Sequence, residues 1–159
     1  MLPWGYTLRR GDWGDRSLLR KVLQITYREL FPELENFSPL GEAVEGLFSN
    51  ATPLWWVDAP TAPSIACLWL GRALDQSLGK RYSQILLLYV VPEHRRLGVG
   101  KALIQQAEAW AKEQGDRQIG LQVFVNNHKA INLYQNLGYK TQSLLMIKSL
   151  IVPDQGCHG

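Results

Sequence analysis

The stretch at residues 89–102, Y-V-V-P-E-H-R-R-L-G-V-G-K-A, constrains the fold most strongly. It leaves an apolar run, turns at Pro92 and enters a helical pattern through Gly98 and Gly100. Glycine allows the chain to turn tightly, and the first N–H groups of a helix have no intrahelical partner. Such free donors, at the positive end of the helix dipole, favour a phosphate or another anion. The stretch therefore predicts a strand, a turn and a helix that together cradle an anion.

Two well-known phosphate loops do not fit this stretch. A Walker loop requires Ser or Thr after its lysine, whereas Lys101 is followed by Ala102. A dinucleotide-binding fingerprint requires three glycines, and the third is missing from the sequence. A nucleoside triphosphate or NAD site is therefore not expected.

Two motifs follow one another in this half of the chain. The first is V-x-P-x-x-R-x-x-G-x-G, starting at Val90, and the second is N-x-x-A-x-x-L-Y-x-x-x-G-Y, starting at Asn127. In type and order they resemble the acetyl-CoA motifs of the GNAT superfamily of N-acetyltransferases. The resemblance covers residues 85–139, about a third of the chain. It implies acetyl-CoA as the cosubstrate and an amine as the acceptor.

The resemblance also implies roles for particular residues. Backbone groups of Leu88 and Val90 would line the pantetheine arm or polarise the acetyl carbonyl, and the glycine-rich turn would hold the pyrophosphate. Tyr134 would act as the general acid toward the leaving thiolate. The alternative role for Tyr134 is that of an aromatic core residue. Asn127 would lie near the cofactor arm, and it could equally cap the following helix. The expected cofactor-binding residues are Leu88, Val90, Arg95, Arg96, Leu97, Gly98, Val99, Gly100, Lys101 and Asn127.

A general base is not evident. Many members of the superfamily carry a Glu on the fourth or fifth strand, where this sequence has Gln84 and Gln122. Glutamine cannot accept a proton at neutral pH. The amine would therefore arrive neutral, or it would lose its proton to a water chain or to a carboxylate elsewhere in the chain. The other candidates, for each of which a solvated surface role is favoured, are Glu29, Glu33, Glu35 and Asp75.

The periodicity of the chain predicts an α/β fold. The resemblance implies a GNAT-like mixed, mostly antiparallel sheet with helices on both faces and a splay between the fourth and fifth strands. We expect a bulge at residues 90–92, because Pro92 has no N–H for the ladder. Strands are predicted at residues 6–9, 54–58, 64–73, 85–91, 119–125 and 139–150, and helices at 15–31, 40–48, 101–114 and 128–137.

Composition limits the class of protein. The chain has 159 residues, 46% of them hydrophobic and 19% charged, which predicts one globular domain at residues 1–152 and a loose tail at 153–159. A net charge of +3 without a Lys/Arg run suits an anionic ligand and predicts no nucleic-acid partner. Cys67 and Cys157 form no metal-binding pattern with the three histidines, so we expect a reduced, cytoplasmic protein without a metal. Neither a secretory signal nor a membrane span is predicted.

These observations favour an N-acetyltransferase that transfers the acetyl group directly within a ternary complex. Neither cysteine lies in a motif, so a covalent acetyl-enzyme would lack a nucleophile. The C-terminal L-L-M-I-K-S-L is similar to members that acetylate protein N-termini or lysines. The alternatives are a small amine acceptor (a polyamine, amino acid or antibiotic), and a sensor that binds acetyl-CoA without turnover. The protein is expected to be a monomer or a homodimer formed through the last strand.

Aromatic residues are candidates for the walls of a substrate groove, although those on a sheet are more often core. The candidates are Trp55, Trp56 and Trp69 on neighbouring predicted strands, and Phe31 and Phe37 around the end of the first helix.

Overall fold

The computed structural model describes residues 1–33 and 38–151 as a mixed α/β fold. Five strands lie side by side in the order β1-β2-β3-β4-β5, antiparallel except for the parallel pair β4 and β5. Short 3-10 turns occur at Trp13–Asp15 and Pro92–His94. The strands are β1 (Thr7–Arg10), β2 (Leu54–Asp58), β3 (Ala66–Leu74), β4 (Arg81–Val90) and β5 (Ile119–Leu121). The helices are α1 (Arg16–Leu30), α2 (Ser38–Leu47), α3 (Val99–Glu113) and α4 (His128–Asn136).

Helices cover both faces of the sheet, as predicted. Successive side chains of a strand point to opposite faces, so Trp55 and Trp56 of β2 belong to different hydrophobic clusters. The cluster around Trp56 is closed by α1 and α2, and the cluster around Trp55 by α3 and α4. The central strands are nearly continuous in hydrophobicity because both of their faces are buried.

The predicted splay lies between β4 and β5. The two strands pair over only three positions, ending at Ile85 opposite Leu121, whereas β4 continues to Val90. The last five residues of β4 therefore have no strand on that side among the described residues. A gap opens at the end of the sheet where the glycine-rich turn begins.

The bulge predicted at residues 90–92 is wrong, since the register shift lies at Leu86. Trp69 pairs with Leu87 and Leu70 pairs with Ile85, which leaves Leu86 as an extra residue in β4. Its side chain occupies the space above Gly71, where an added Cβ would come within 2.7 Å of a Leu86 methyl group. A bulge increases local twist, and this one directly follows the last pair between β4 and β5.

Two predicted strand boundaries and one predicted strand are also wrong. β4 begins at Arg81 rather than at residue 85, because the polar stretch before it forms a hairpin with β3. β5 ends at Leu121 rather than at residue 125, and residues 139–150 form no strand. In the last two cases the described part of the chain supplies no neighbouring strand to pair with. The expected tail at 153–159 lies outside the described residues.

An ion pair at the other end of the sheet should make stability depend on pH. The Asp116 carboxylate is 3% exposed and accepts hydrogen bonds from Arg72 at 2.6 and 3.0 Å and from the Ser83 hydroxyl. Burial alone raises the pKa of Asp116, but the hydrogen bonds and charge of Arg72 and the Ser83 bonds outweigh it and lower this pKa.

We expect Asp116→Asn to lower the free energy of unfolding by about 2 kcal/mol at pH 7, because it removes the charge that Arg72 and Ser83 neutralise. The folded-state pKa is lowered, so this stability is present above the unfolded value near ~3.9 and is lost as pH falls through the folded value. Urea unfolding at pH 7 and pH 3 measures both effects, with exposed Glu113→Gln as the control. An equal difference between variant and wild type at both pH values would contradict the assignment.

Candidate active site

The two sequence motifs meet at Gly100, at the start of α3. A Cβ added to Gly100 would lie 3.9 Å from methyl groups of Leu88 and Val90 on β4 and of Leu133 on α4. Tyr134, the next residue on α4, belongs to the same buried cluster. The end of β4, the start of α3 and one face of α4 therefore surround one point beside the splay.

The glycine-rich turn leaves a row of backbone donors unused. The amides of His94 and Arg95 donate back into the preceding turn, and the Ala102 amide donates to the Gly98 carbonyl at 3.0 Å. Between these, the N–H groups of residues 96–101 find no acceptor in the described part of the chain. Arg96 (φ 64°) and Gly98 (φ 85°) are both left-handed, a conformation that suits glycine and turns successive amides into a concave nest.

This nest has the donors and the charge to bind a phosphate or another anion. Its six free amides lie at the N-terminus of a 15-residue helix, where the dipole favours an anion. Arg96 and Lys101 are exposed and add positive charge, and no described atom lies within 4 Å of a Cβ placed on Gly98. Leu97 is half exposed in the same turn, whereas Val99 is buried and anchors the helix.

Arg95, in contrast, uses its side chain within the protein. Its Nε donates to the Val90 carbonyl at 2.7 Å, and its guanidinium pairs with the Glu29 carboxylate at 3.2 Å and lies over the Tyr89 ring. Arg95 thus ties the turn to β4 and to α1. A contact between Arg95 and the cofactor stays a prediction. The contacts of Arg95 with Val90, Glu29 and Tyr89 form without a cofactor.

Tyr134 is a buried phenol on α4. It is 8% exposed, and its hydroxyl has no hydrogen-bond partner among the described residues. Burial raises the pKa of Tyr134 to about 12, so the phenol is protonated at neutral pH and can donate a proton. The ring packs edge-on against Tyr139 at 5.6 Å. Tyr134 is thus the aromatic core residue that the sequence allowed, and its catalytic role stays a prediction.

Asn127 caps α4, the alternative role that the sequence allowed. Its side-chain oxygen accepts a hydrogen bond from the Ala130 amide at 3.3 Å. The side-chain NH₂ group keeps its donors, so a contact with the cofactor arm stays a prediction.

The candidate bases are widely scattered. Gln84 is half-buried in β4, and Gln122 is exposed just after β5. Asp75 accepts hydrogen bonds from Ser77 in the hairpin between β3 and β4, at the end of β4 opposite to the glycine-rich turn. Glu29 pairs with Arg95, and Glu35 lies outside the described residues.

An aromatic cluster on the open side of the sheet was only partly expected. The Phe31 and Phe124 rings lie 4.9 Å apart, and the Tyr27 ring lies 6.1 Å from each. Tyr27 and Phe31 are four residues apart, which places them on one side of the α1 end, but no sequence signal links them to Phe124. Trp55, Trp56 and Trp69 are core residues, and Phe37 is not described.

A groove opens beside this cluster at the end of α1. It encloses about 610 Å³ and is lined by Tyr27, Leu30, Phe31, Pro32 and Glu33. The lining is mostly apolar, with one carboxylate, which differs from the acidic pocket that a polycation would favour.

Residues 1–33 and 38–151 show neither a metal-binding cluster nor a membrane-spanning helix. No group of three or more His, Cys, Asp and Glu side chains is placed to hold a metal ion there. No helix in these ranges is both long and apolar enough to cross a membrane.

The described residues thus form a mixed α/β sheet that splays beside a nest of free amides. A sequence model described as the Acetyltransferase (GNAT) family matches residues 19–139. The chain belongs to this family.

Individual relatives agree with this assignment. Human N-acetyltransferase 8 is 35% identical over 101 residues, which are 64% of this chain and 44% of that protein. An aminoglycoside N(6')-acetyltransferase type 1 from Acinetobacter genomosp. 13 is 34% identical over 57% of this chain and 65% of its own length. The solved structure of a putative acetyl transferase from Pyrococcus furiosus has a TM-score of 0.74 at 27% identity, covering 91% of this chain and 99% of its own. The chain spans less than half the length of the first curated relatives that it matches.

Proposed function

We propose that this protein transfers the acetyl group of acetyl-CoA directly to a primary amine. The observation that carries the proposal is the row of six free amides at residues 96–101, which lies at the splay and adjoins the α4 face that bears Tyr134. Coenzyme A supplies the activated acetyl group as a thioester. The β5-facing edge of β4 beyond Ile85 has no strand among the described residues, which leaves the backbone of Leu88 available to the pantetheine amides, whereas the Val90 carbonyl already accepts a hydrogen bond from Arg95.

In the proposed reaction the amine nitrogen bonds to the acetyl carbonyl carbon and the carbon–sulfur bond breaks. The Tyr134 phenol gives its proton to the departing sulfur and regains one from solvent, while the amine loses its proton to water. Direct transfer is supported by Cys67, which is fully buried and whose thiol pKa is raised by that burial. A buried thiol with a raised pKa is a poor nucleophile.

The reaction is tested by following coenzyme A release with a thiol reagent across a panel of peptides and small amines. Thermal stabilisation by acetyl-CoA is measured in parallel, since a ligand of the folded state raises the unfolding temperature. We expect both stabilisation and turnover. Stabilisation without turnover on any amine would favour the sensor, the alternative supported by glutamine at positions 84 and 122.

For the acceptor we propose the amine of a protein or peptide, an N-terminus or a lysine. The apolar groove beside Phe31 suits a peptide side chain next to the reacting amine, and Glu33 can attract an ammonium group. A small-molecule acceptor is the second candidate, because the Acinetobacter relative is named for an aminoglycoside. A peptide with a free N-terminus, the same peptide N-terminally blocked with an internal lysine, spermidine and an aminoglycoside distinguish these classes.

Phe31→Ala is expected to raise KM for a peptide acceptor by about 10-fold, because it removes a ring from the groove wall and with it about 1.5 kcal/mol of contact. The affinity for acetyl-CoA should stay within about 2-fold, because the ring lies on the acceptor side. Phe48→Ala is the matched control, since that ring packs on Trp13 instead. Equal effects of the two substitutions on KM would show that the groove does not bind the acceptor.

A further inference from the structure

One ion pair connects the two sides of the proposed site. The Arg95 guanidinium donates to both oxygens of the Glu29 carboxylate, at 3.2 and 3.3 Å. Glu29 lies in the last turn of α1, where Tyr27 and Phe31 line the apolar groove. Arg95 directly precedes the row of free amides at residues 96–101. The pair therefore links the groove on the acceptor side to the amide nest on the cofactor side.

The other contacts of Arg95 fix the end of β4. Its Nε donates to the Val90 carbonyl at 2.7 Å, and its guanidinium lies 5.6 Å from the centre of the Tyr89 ring. The Val91 amide donates to the Ile65 carbonyl at 2.9 Å, on the β3 side. In a trans peptide the preceding carbonyl points the opposite way, so the Val90 carbonyl faces the splay. Arg95 thus holds the chain at the point where β4 passes into the glycine-rich turn.

Glu29, Arg95 and Tyr89 form one group of interacting side chains. Burial raises the pKa of Tyr89, the Glu29 carboxylate raises it further, and the charge of Arg95 lowers it. The Glu29 and Arg95 side chains are 44% and 38% exposed, and exposed ion pairs contribute little to stability. A planar guanidinium with contacts on three sides is nevertheless fixed in orientation. The pair is therefore suited to position the turn rather than to stabilise the fold.

We propose that Glu29 is a positioning residue that, through Arg95, couples the groove at the end of α1 to the amide nest at residues 96–101. The inference rests on the proposed function, because it assigns the nest to coenzyme A and the groove to the acceptor. Coenzyme A in the nest orders the last turn of α1 before an amine arrives. Coupling between two sites is reciprocal, so an amine in the groove also strengthens coenzyme A binding.

Hydrogen exchange of the full-length protein, with and without saturating coenzyme A, tests the coupling without any acceptor. We expect coenzyme A to slow exchange directly at residues 96–101. Through the ion pair it should also slow exchange at residues 27–31 by about 5-fold, the lower end of typical coupling between sites. Glu29→Gln should remove the effect at residues 27–31 and keep the effect at residues 96–101, because the amides themselves are unchanged.

The exchange experiment separates failure of this inference from failure of the proposed function. Slower exchange at residues 96–101 alone in the wild type would overturn the coupling and leave the proposed function standing. The coupling would also be overturned if Glu29→Gln kept the effect at residues 27–31. Unchanged exchange at residues 96–101 would overturn both the proposed function and the coupling.

Calorimetric titration with coenzyme A tests whether Glu29 acts through Arg95. Glu29→Gln should weaken binding by about 5-fold, and should have no further effect in an Arg95→Gln background, where the pair is already lost. Glu45→Gln is the matched control, because Glu45 is also 44% exposed but pairs with Arg16 and Arg20 near the start of α1. It should leave the affinity unchanged. An equal effect of Glu29→Gln in both backgrounds, or an equal loss in Glu45→Gln, would overturn the proposal.

Discussion

Replacing Tyr134 by Phe should lower the rate of coenzyme A release by about 100-fold, the lower end of what a general acid contributes. The substitution removes only the hydroxyl, and that hydroxyl has no partner among the described residues, so the fold should be unchanged. Affinity for acetyl-CoA should stay within about 2-fold, because the predicted role concerns the departing sulfur rather than binding. Turnover with saturating amine and thermal stabilisation by acetyl-CoA measure the two effects separately.

Tyr139→Phe is the matched control for this result. The Tyr139 ring lies 5.6 Å from that of Tyr134, and the Tyr139 hydroxyl is buried without a hydrogen-bond partner. If burial of a phenol near the splay were the important property, both substitutions would have the same effect. The pKa of Tyr134 is about 12, so the phenol stays protonated and the ratio of wild-type to variant rates should be constant from about pH 7 to 10. A Tyr134→Phe variant as fast as wild type would contradict the assignment.

The row of free amides was predictable because its determinants are contiguous in sequence. The free amides follow from the glycines at 98 and 100 and from the helix that starts beside them, and all of these lie within one short stretch. The same applies to Asn127, whose capping bond spans only three residues. Local chemistry of this kind is determined by residue type and spacing, without knowledge of the rest of the fold.

The features that the sequence missed depend on distant residues. The bulge at Leu86 depends on the register with β3 and on the missing Cβ of Gly71, whereas Pro92, the expected cause, only begins a short turn. The aromatic cluster joins Phe31 at the end of α1 to Phe124, about ninety positions later. Residues 144–147 have the composition of a strand, yet among the described residues no strand lies beside them to pair with. Strand pairing depends on residues that are distant in sequence, so local patterns do not determine where strands begin, end or bulge.

Gly98→Val is expected to weaken coenzyme A binding by about 100-fold, which is the loss of two charge-assisted hydrogen bonds at about 1.5 kcal/mol each. Gly98 has a φ of 85°, and a β-branched residue in this region is strained. The turn would relax toward negative φ and misdirect the amides of its neighbours. The space around the added side chain is open, so the effect comes from the backbone rather than from a clash.

Gly115→Val is the control that separates strain from function. Gly115 has a φ of 84° and equally open surroundings, but it lies beyond the C-terminus of α3, at the end of the helix opposite to the amide nest. Because the backbone strain is matched, both variants should lose a similar free energy of unfolding, about 1–2 kcal/mol. Only Gly98→Val should lose affinity for coenzyme A in a calorimetric titration, because only there do free amides surround the glycine. Equal losses of affinity in both variants would mean that the amides of residues 96–101 do not bind the pyrophosphate.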